Sequence, residues 1–451
     1  MTYPRNGIVA NSHWALLALL GSLTLGSCGR SMTAAVVPVR GTGSAPLSSG
    51  AGEHEGTRLP SESIAGQVVV TLAPGVNADQ LAADHGARVV ECELDERQAT
   101  LVPVPPQTAL GLEGALLTDP RAVTAEPNVL LESVEARQQS FAFDDGFSMS
   151  AGMAEQPAIA AIGLSNAHDV ALGEGVIVAI IDTGIDPRHP LLRNAYMGGI
   201  DFVDHDSDPS EGANGIDDDG DGNIDEAFGH GTHIAGIVHM VAPEARLLSV
   251  RVLDSDGHGD LQAVSAGVRW AVAHGAKVIN LSLGSLGRAD ALQNALGEAE
   301  AAGVIVIASA GNWGAETPVE FPARSEHVAA IAAVDANAVP ATFSSYGHIV
   351  ALAAPGVAVR STYPGNRYRL WSGTSMATPF VSGTVALLCE IHPTWTLTQV
   401  LDRIGDTARP INDGASEFGA GALDAGAALA PDRRSRIDDV PAAEDIRPRG
   451  R

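Results

Sequence analysis

Three short stretches carry residue types able to do nucleophilic chemistry, and they occur in the order Asp, His, Ser. The first is Ile180-Ile181-Asp182-Thr183-Gly184-Ile185-Asp186. Asp182 closes an apolar, β-branched run, so a strand would carry its carboxylate to the carboxyl end of a sheet. There it can accept a hydrogen bond from an imidazole and hold its tautomer. Asp after an apolar strand is common, and alone this stretch says little. The second is Gly229-His230-Gly231-Thr232-His233-Ile234-Ala235-Gly236. A His among small residues at a helix start can reach a neighbouring hydroxyl and act as a general base. The pair also suggests metal, but His230 and His233 lack the intervening Glu of a zinc-peptidase helix, and no third ligand is evident. The third is Ser372-Gly373-Thr374-Ser375-Met376-Ala377-Thr378-Pro379. Ser375 opens a helix, where backbone N–H groups and the dipole favour an oxyanion. A plain helix-capping serine is the competing reading.

The elements around these motifs alternate. Continuous apolar runs at 176–181, 247–253, 278–283, 304–308 and 328–334 read as strands buried on both faces. Helical segments at 261–274 and 289–302 lie between them, which predicts a parallel sheet with crossover helices and ligands beyond the carboxyl ends of its strands. Upstream, strands at 67–72, 87–93, 99–104 and 129–134 and helices at 77–85 and 110–117 give a β-α-β-β-α-β order. That order predicts a small antiparallel sheet with helices on one face.

Together the three motifs resemble the subtilase family of serine proteases across 156–429, with Asn280-Leu281-Ser282-Leu283-Gly284, Ala308-Ser309-Ala310-Gly311-Asn312 and Ala354-Pro355-Gly356 as further matching stretches. The resemblance implies an α/β fold, a subtilisin-like mostly parallel sheet with helices on both faces, preceded by a small α+β ferredoxin-like propeptide domain. It implies a catalytic triad of Ser375 as nucleophile, His230 as base and Asp182 orienting His230, with His233 structural. Asn312 resembles the family's side-chain oxyanion donor, acting with the Ser375 N–H. Ser282-Leu283-Gly284 and Gly257-His258-Gly259 resemble the two edges that clasp an extended peptide as an added strand. Glu320, just before Phe321-Pro322, falls where the family places the base of its primary specificity pocket. A buried carboxylate there would favour Lys or Arg before the scissile bond; a solvent-facing Glu320 is the alternative.

One departure concerns cations. The strong calcium loop of some subtilisins is missing after His233, and Leu191 stands where an acid is required. An acidic insertion before His230 offers Asp217, Asp219, Asp221 and Asp225 at alternate positions, with Gly for a sharp turn and the Asn223 carbonyl in reach. This resembles the start of an EF-hand loop and predicts a structural Ca²⁺, although Phe228 occupies the usual twelfth, bidentate position. A merely solvated acidic loop is the alternative.

The remainder sets the context. A net charge of −27 over 451 residues repels phosphate and argues against nucleic-acid binding. Cys28, Cys92 and Cys389 form no disulfide or zinc pattern. Residues 1–28 read as an export signal, and Leu25-Gly26-Ser27-Cys28 resembles a lipobox, in which the Cys carries the lipid. A flexible tether at 29–60 follows, then the propeptide-like domain at 61–135, a linker with a processing site at 136–152, the catalytic domain at 153–430 and a polar tail at 431–451. The implied protein is a secreted or lipid-anchored endopeptidase, autoprocessed from a zymogen, with protein or peptide substrates and its own propeptide as inhibitor. Membrane contact would come only through Cys28. The competing function is an inactive surface-binding or calcium-binding adhesion protein on the same scaffold.

Overall fold

The computed structural model describes residues 63–93, 97–137, 142–143, 151–287, 289–316, 319–412 and 417–431. The expected leader, lipobox, tether and tail, and most of the expected processing linker, lie outside them.

The N-terminal unit runs β1 (Ser63–Leu72), α1 (Ala78–Asp84), β2 (Ala87–Cys92), β3 (Gln98–Pro103), α2 (Ala109–Leu116), β4 (Ala122–Ser133). Both helices start on side-chain caps: Asn77 accepts from the Gln80 N–H and Thr108 from the Gly111 N–H. The strands form an antiparallel sheet in the order β4-β1-β3-β2. β4 begins at Ala122, earlier than the sequence pattern predicts. Pro127 lies within it and masks the strand signal; it sits opposite Val68, and the ladder with β1 is irregular between Ser63 and Val68.

After one helical turn, α3 (Val134–Arg137), come the short helices α4 (Ala151–Ala154), α5 (Pro157–Ala161) and α6 (Leu164–His168). The larger sheet follows, with β5 (Ile177–Asp182), β6 (Tyr196–Asp201), α7 (His230–Val241), β7 (Arg246–Arg251), β8 (His258–Asp260), α8 (Leu261–Ala273), β9 (Val278–Leu281), β10 (Leu283–Gly284), α9 (Asp290–Ala301), β11 (Ile305–Ser309), β12 (Val328–Val334) and β13 (Val350–Pro355). The hairpin β14 (Val359–Tyr363) and β15 (Arg367–Trp371) leads into α10 (Thr374–Ile391), then α11 (Leu397–Thr407) and α12 (Ala425–Leu429). The large sheet is parallel throughout, in the order β13-β12-β11-β9-β5-β7-β6. β6, β13 and the hairpin are additions to the expected set.

Alternation along the strands builds two cores. Val178, Ile180, Ile305 and Ile307 face α7 and α10 on one side; Ala179, Ile181, Val306 and Ala308 face α8 and α9 on the other. β5 lies inside the sheet, between β9 and β7, so the strands that follow it in the chain flank it on both sides. The crevice beyond their carboxyl ends is where open α/β sheets bind ligands.

The N-terminal sheet has a core of its own, with Val68, Val70, Leu81, Leu101, Leu112 and Leu116. Its other face is also apolar, and Val69, Val129 and Leu131 join the core under α8 and α9. Polar contacts fix the docking. α9 has no side-chain cap of its own, and the Glu126 carboxylate of β4 accepts from the Asp290 and Ala291 N–H groups. Arg269 of α8 donates to Glu93 at 2.9 Å and Gln98 at 2.6 Å, with both ionic partners buried.

Candidate active site

Asp182 ends β5, and its backbone carbonyl accepts from Val252 N–H as β7 continues beside it. Its Oδ1 accepts from the Thr183 N–H at 2.8 Å and from His230 Nδ1 at 2.7 Å. His230 is the first residue of α7, behind Gly229 at φ 94°, a left-handed conformation that suits glycine. A Cβ on Gly231 would lie 2.1 Å from the Gly184 carbonyl oxygen, so the small residues of both motifs let the two chains touch. His230 and His233 both meet the edge or face of the buried Trp371, with ring centroids 5.2 and 5.7 Å away. His233 Nε2 donates to the Arg369 carbonyl at 3.2 Å, and burial lowers its pKa to about 3, keeping it neutral.

Ser375 is the second residue of α10 and is fully buried. Its hydroxyl donates to the Ser282 carbonyl at 3.3 Å, and Ser282 Oγ donates back to the Ser375 carbonyl at 3.2 Å. Asn312 has its amide oriented by Thr374, whose N–H and hydroxyl both donate to Asn312 Oδ1 at 2.9 Å. Asn312 Nδ2 must therefore point the other way. It converges with the Ser375 N–H on a single oxygen, Glu135 Oε1, at 2.9 and 3.3 Å. The second carboxylate oxygen of Glu135 lies 3.1 Å from His230 Nε2.

This places His230 between two acceptor carboxylates, so both ring nitrogens carry protons. Burial would push its pKa down, but the charge and hydrogen bond of Asp182, joined by Glu135, raise it to about 10. The two predicted clasping edges hold β4 itself. Leu283 and Gly284 pair with Ser133 and Glu132 on one side, and His258 to Asp260 pair with Glu132 to Leu130 on the other.

A profile of the subtilase family matches residues 173–422. The "Thermostable alkaline protease" of Halalkalibacterium halodurans is 41% identical over 60% of this chain and 72% of its own length. "Subtilisin BL" of Lederbergia lenta is 39% identical over 58% of this chain and 94% of its own. Thermitase of Thermoactinomyces vulgaris is 43% identical over 50% and 78%. The chain belongs to the subtilase family. It is a serine endopeptidase of subtilisin type. Among solved structures, fervidolysin from Fervidobacterium pennivorans, a keratinolytic enzyme related to subtilisin, superposes with a TM-score of 0.68 over 83% of this chain and 62% of its own. At 24% identity that likeness speaks for the fold.

In this subtilase the acidic insertion brings Asp217, Asp219 and Asp221 together, each offering an oxygen within 4.8 Å of the others. The expected ligand Asp225 is turned elsewhere, with its carboxylate accepting from the Asn214 and Gly215 N–H groups. Asn223 contacts the cluster through its side chain, donating to Asp221 Oδ2 at 2.8 Å. The loop is pinned by Asp256, which accepts from the Asp218 and Asp225 N–H groups. Burial, then the charges of Asp256, Asp221 and Asp219, raise the pKa of Glu226 to about 7. Three convergent carboxylates with a fourth acid nearby are a hard-cation donor set, so the residues fit Ca²⁺.

Glu320 is buried, 1% exposed, which removes the solvent-facing alternative. Its Oε1 accepts from the Trp313 indole at 2.7 Å. A Cβ on Gly284 would fall 2.1 Å from Glu320 Oε2, and one on Gly311 3.0 Å from its Cγ. The carboxylate is lodged between these two glycines.

Two residues of the site were not singled out by sequence. Glu211 is buried at the N-terminus of α7, accepting from the Gly229 N–H, the Thr232 N–H and hydroxyl, and the Thr183 hydroxyl. Burial outweighs these donors and raises its pKa to about 7. No local motif marks it, because its partners are 18 to 28 residues away in the chain. Glu135 carried no signal either, beyond following a strand.

Proposed function

We propose that this subtilase is made as a secreted, self-maturing zymogen that cleaves protein and peptide substrates. Ser375 attacks the scissile carbonyl and His230 takes its proton. Asp182 orients the ring, and Asn312 Nδ2 with the Ser375 N–H stabilises the tetrahedral oxyanion before water hydrolyses the acyl-enzyme. The observation that carries this reading is the convergence of Asn312 Nδ2, the Ser375 N–H and His230 Nε2 on one small group. Casein cleavage by the full chain, lost in Ser375→Ala, tests it. Casein cleavage equal to wild type in Ser375→Ala overturns it.

The N-terminal unit acts as propeptide: β4 fills the substrate cleft as an added strand, and its sheet is docked by Glu126 and Arg269. Substrates then take the place of β4 along Ser282-Leu283-Gly284 and Gly257-His258-Gly259. Glu320 at the base of the primary pocket favours Lys or Arg. Ca²⁺ at Asp217, Asp219 and Asp221 holds the insertion against the turn before β8. Cys28 carries a lipid, so that the uncut chain is membrane-anchored.

A further inference from the structure

The register of β4 points to one peptide bond. Glu132 pairs with Gly284 and Ser133 with Leu283, and the Ser133 N–H donates to the Gly257 carbonyl at 2.8 Å. An antiparallel ladder advances one residue on each strand per step, so Val134 is next, opposite Ser282. The Ser282 carbonyl is the group that accepts the Ser375 hydroxyl. The Val134 carbonyl is thus the one that a single further step of pairing brings to the nucleophile, and Val134 is already buried, 1% exposed.

That step is not taken here. The chain turns into α3 at Val134, and the Glu135 side chain enters the active site in place of a backbone carbonyl. One carboxylate oxygen takes the two donors that would hold an oxyanion. The other takes the His230 nitrogen that would accept the Ser375 proton, and Ser375 is left bonded to Ser282. The fit is close. A Cβ on Gly373 would lie 1.7 Å from Glu135 Oε1, so the carboxylate fills space that only glycine leaves open. Both Glu135 and His230 side chains are wholly buried.

We propose that the Val134–Glu135 bond is the self-cleavage site, and that the Glu135 side chain is a built-in carboxylate ligand of the oxyanion hole that holds this bond off until it withdraws. This rests on the self-maturing reading above. When Glu135 leaves, His230 loses a proton to solvent and its Nε2 becomes an acceptor. The Val134 carbonyl enters the hole and Ser375 Oγ adds to its carbon, passing its proton to His230. The Val134–Glu135 C–N bond breaks, and the Glu135 nitrogen takes that proton and leaves as a new amino terminus. Water hydrolyses the Val134 ester, freeing a Val134 carboxylate and the Ser375 hydroxyl. Val134 is not basic, but tethering presents it at high effective concentration, which replaces side-chain affinity for this one turnover.

The test is a time course of the full chain in a protease-free system, with intact mass of the first products. The N-terminal fragment is expected to end at Val134 and its partner to begin at Glu135. A first cut at any other bond overturns the junction. Glu135→Ala is expected to speed the first cut by roughly ten- to a hundredfold, since charge-assisted hydrogen bonds no longer occupy the hole; Glu135→Gln, keeping the shape without the charge, falls between. Acetate added to the Glu135→Ala chain restores slow cutting, and acetamide does not. Equal rates for wild type and both variants, or acceleration that acetate leaves untouched, overturns the carboxylate latch. Cutting of the Ser375→Ala chain in the same system would instead remove the self-maturing reading.

Discussion

Asn312 is oriented for the site by Thr374: two donors from that one residue hold Asn312 Oδ1 and leave Nδ2 facing the cleft. Asn312→Ala should lower kcat by roughly 10²–10³ with little change in KM, the loss for which subtilisin itself is the reference case. Steady-state kinetics on a peptide ester checks it. His230 supplies a second prediction. Its pKa is raised from the ordinary 6.5 to about 10 by Asp182 and Glu135 against the cost of burial. The folded state therefore holds the proton more tightly than the unfolded one. The resulting stability is complete below about pH 6.5 and is lost as pH rises toward 10. The thermal midpoint of the uncut Ser375→Ala chain should fall across that window, and Glu135→Ala added to it should flatten part of the fall. These readings need the inactive background, since cutting would otherwise change the species observed.

At the level of elements, the acidic insertion and the docked sheet each depend on charges drawn together from separate segments. Ca²⁺ should raise the thermal midpoint after chelation, by mass action on the folded state. Asp219→Ala with Asp221→Ala should abolish that response in a melting curve. The same insertion reaches the N-terminal unit through His258, which lies 3.4 Å from Glu132 and 3.9 Å from Asp219. Docking has a different weak point. Arg269→Ala removes a buried cation that donates to both Glu93 and Gln98, and breaking a buried ion pair costs about 3–5 kcal/mol. Denaturant unfolding of the Ser375→Ala chain should show an early transition for the N-terminal unit in this variant.

For the whole molecule, the proposed lipid site precedes the N-terminal unit in the chain and the proposed cut follows it. A cut after Val134 would sever the covalent link between the catalytic part and the proposed lipid on Cys28, and release would follow once the docked N-terminal unit is itself degraded. Fractionation of expressing cells should find the Ser375→Ala chain with membranes and the wild-type catalytic fragment in the soluble fraction. Cys28→Ala should move the uncut chain to the soluble fraction as well.

The chemistry and the layer order were legible in the chain because both are local. Asp182, His230 and Ser375 each sit in a run of small residues flanked by a strand or a helix, and run length with β-branched content separates buried parallel strands such as Ile177–Asp182 from the longer helices between them. The β-α-β-β-α-β order of the N-terminal unit was equally readable, except where Pro127 hid half of β4. What sequence left open was set by distance in the chain. Glu135 meets residues 95 to 240 positions away, and Glu211 meets partners on two other elements, so no spacing rule connects them. Asp225 lay in register for a metal by alternation, yet its carboxylate accepts from the Asn214 and Gly215 N–H groups, partners 11 and 10 residues back that alternation does not reveal. Residue types and their order determined what reaction this protein can carry out. Only the tertiary structure decided that, in the uncut chain, a carboxylate occupies the place where the reaction's negative charge would form.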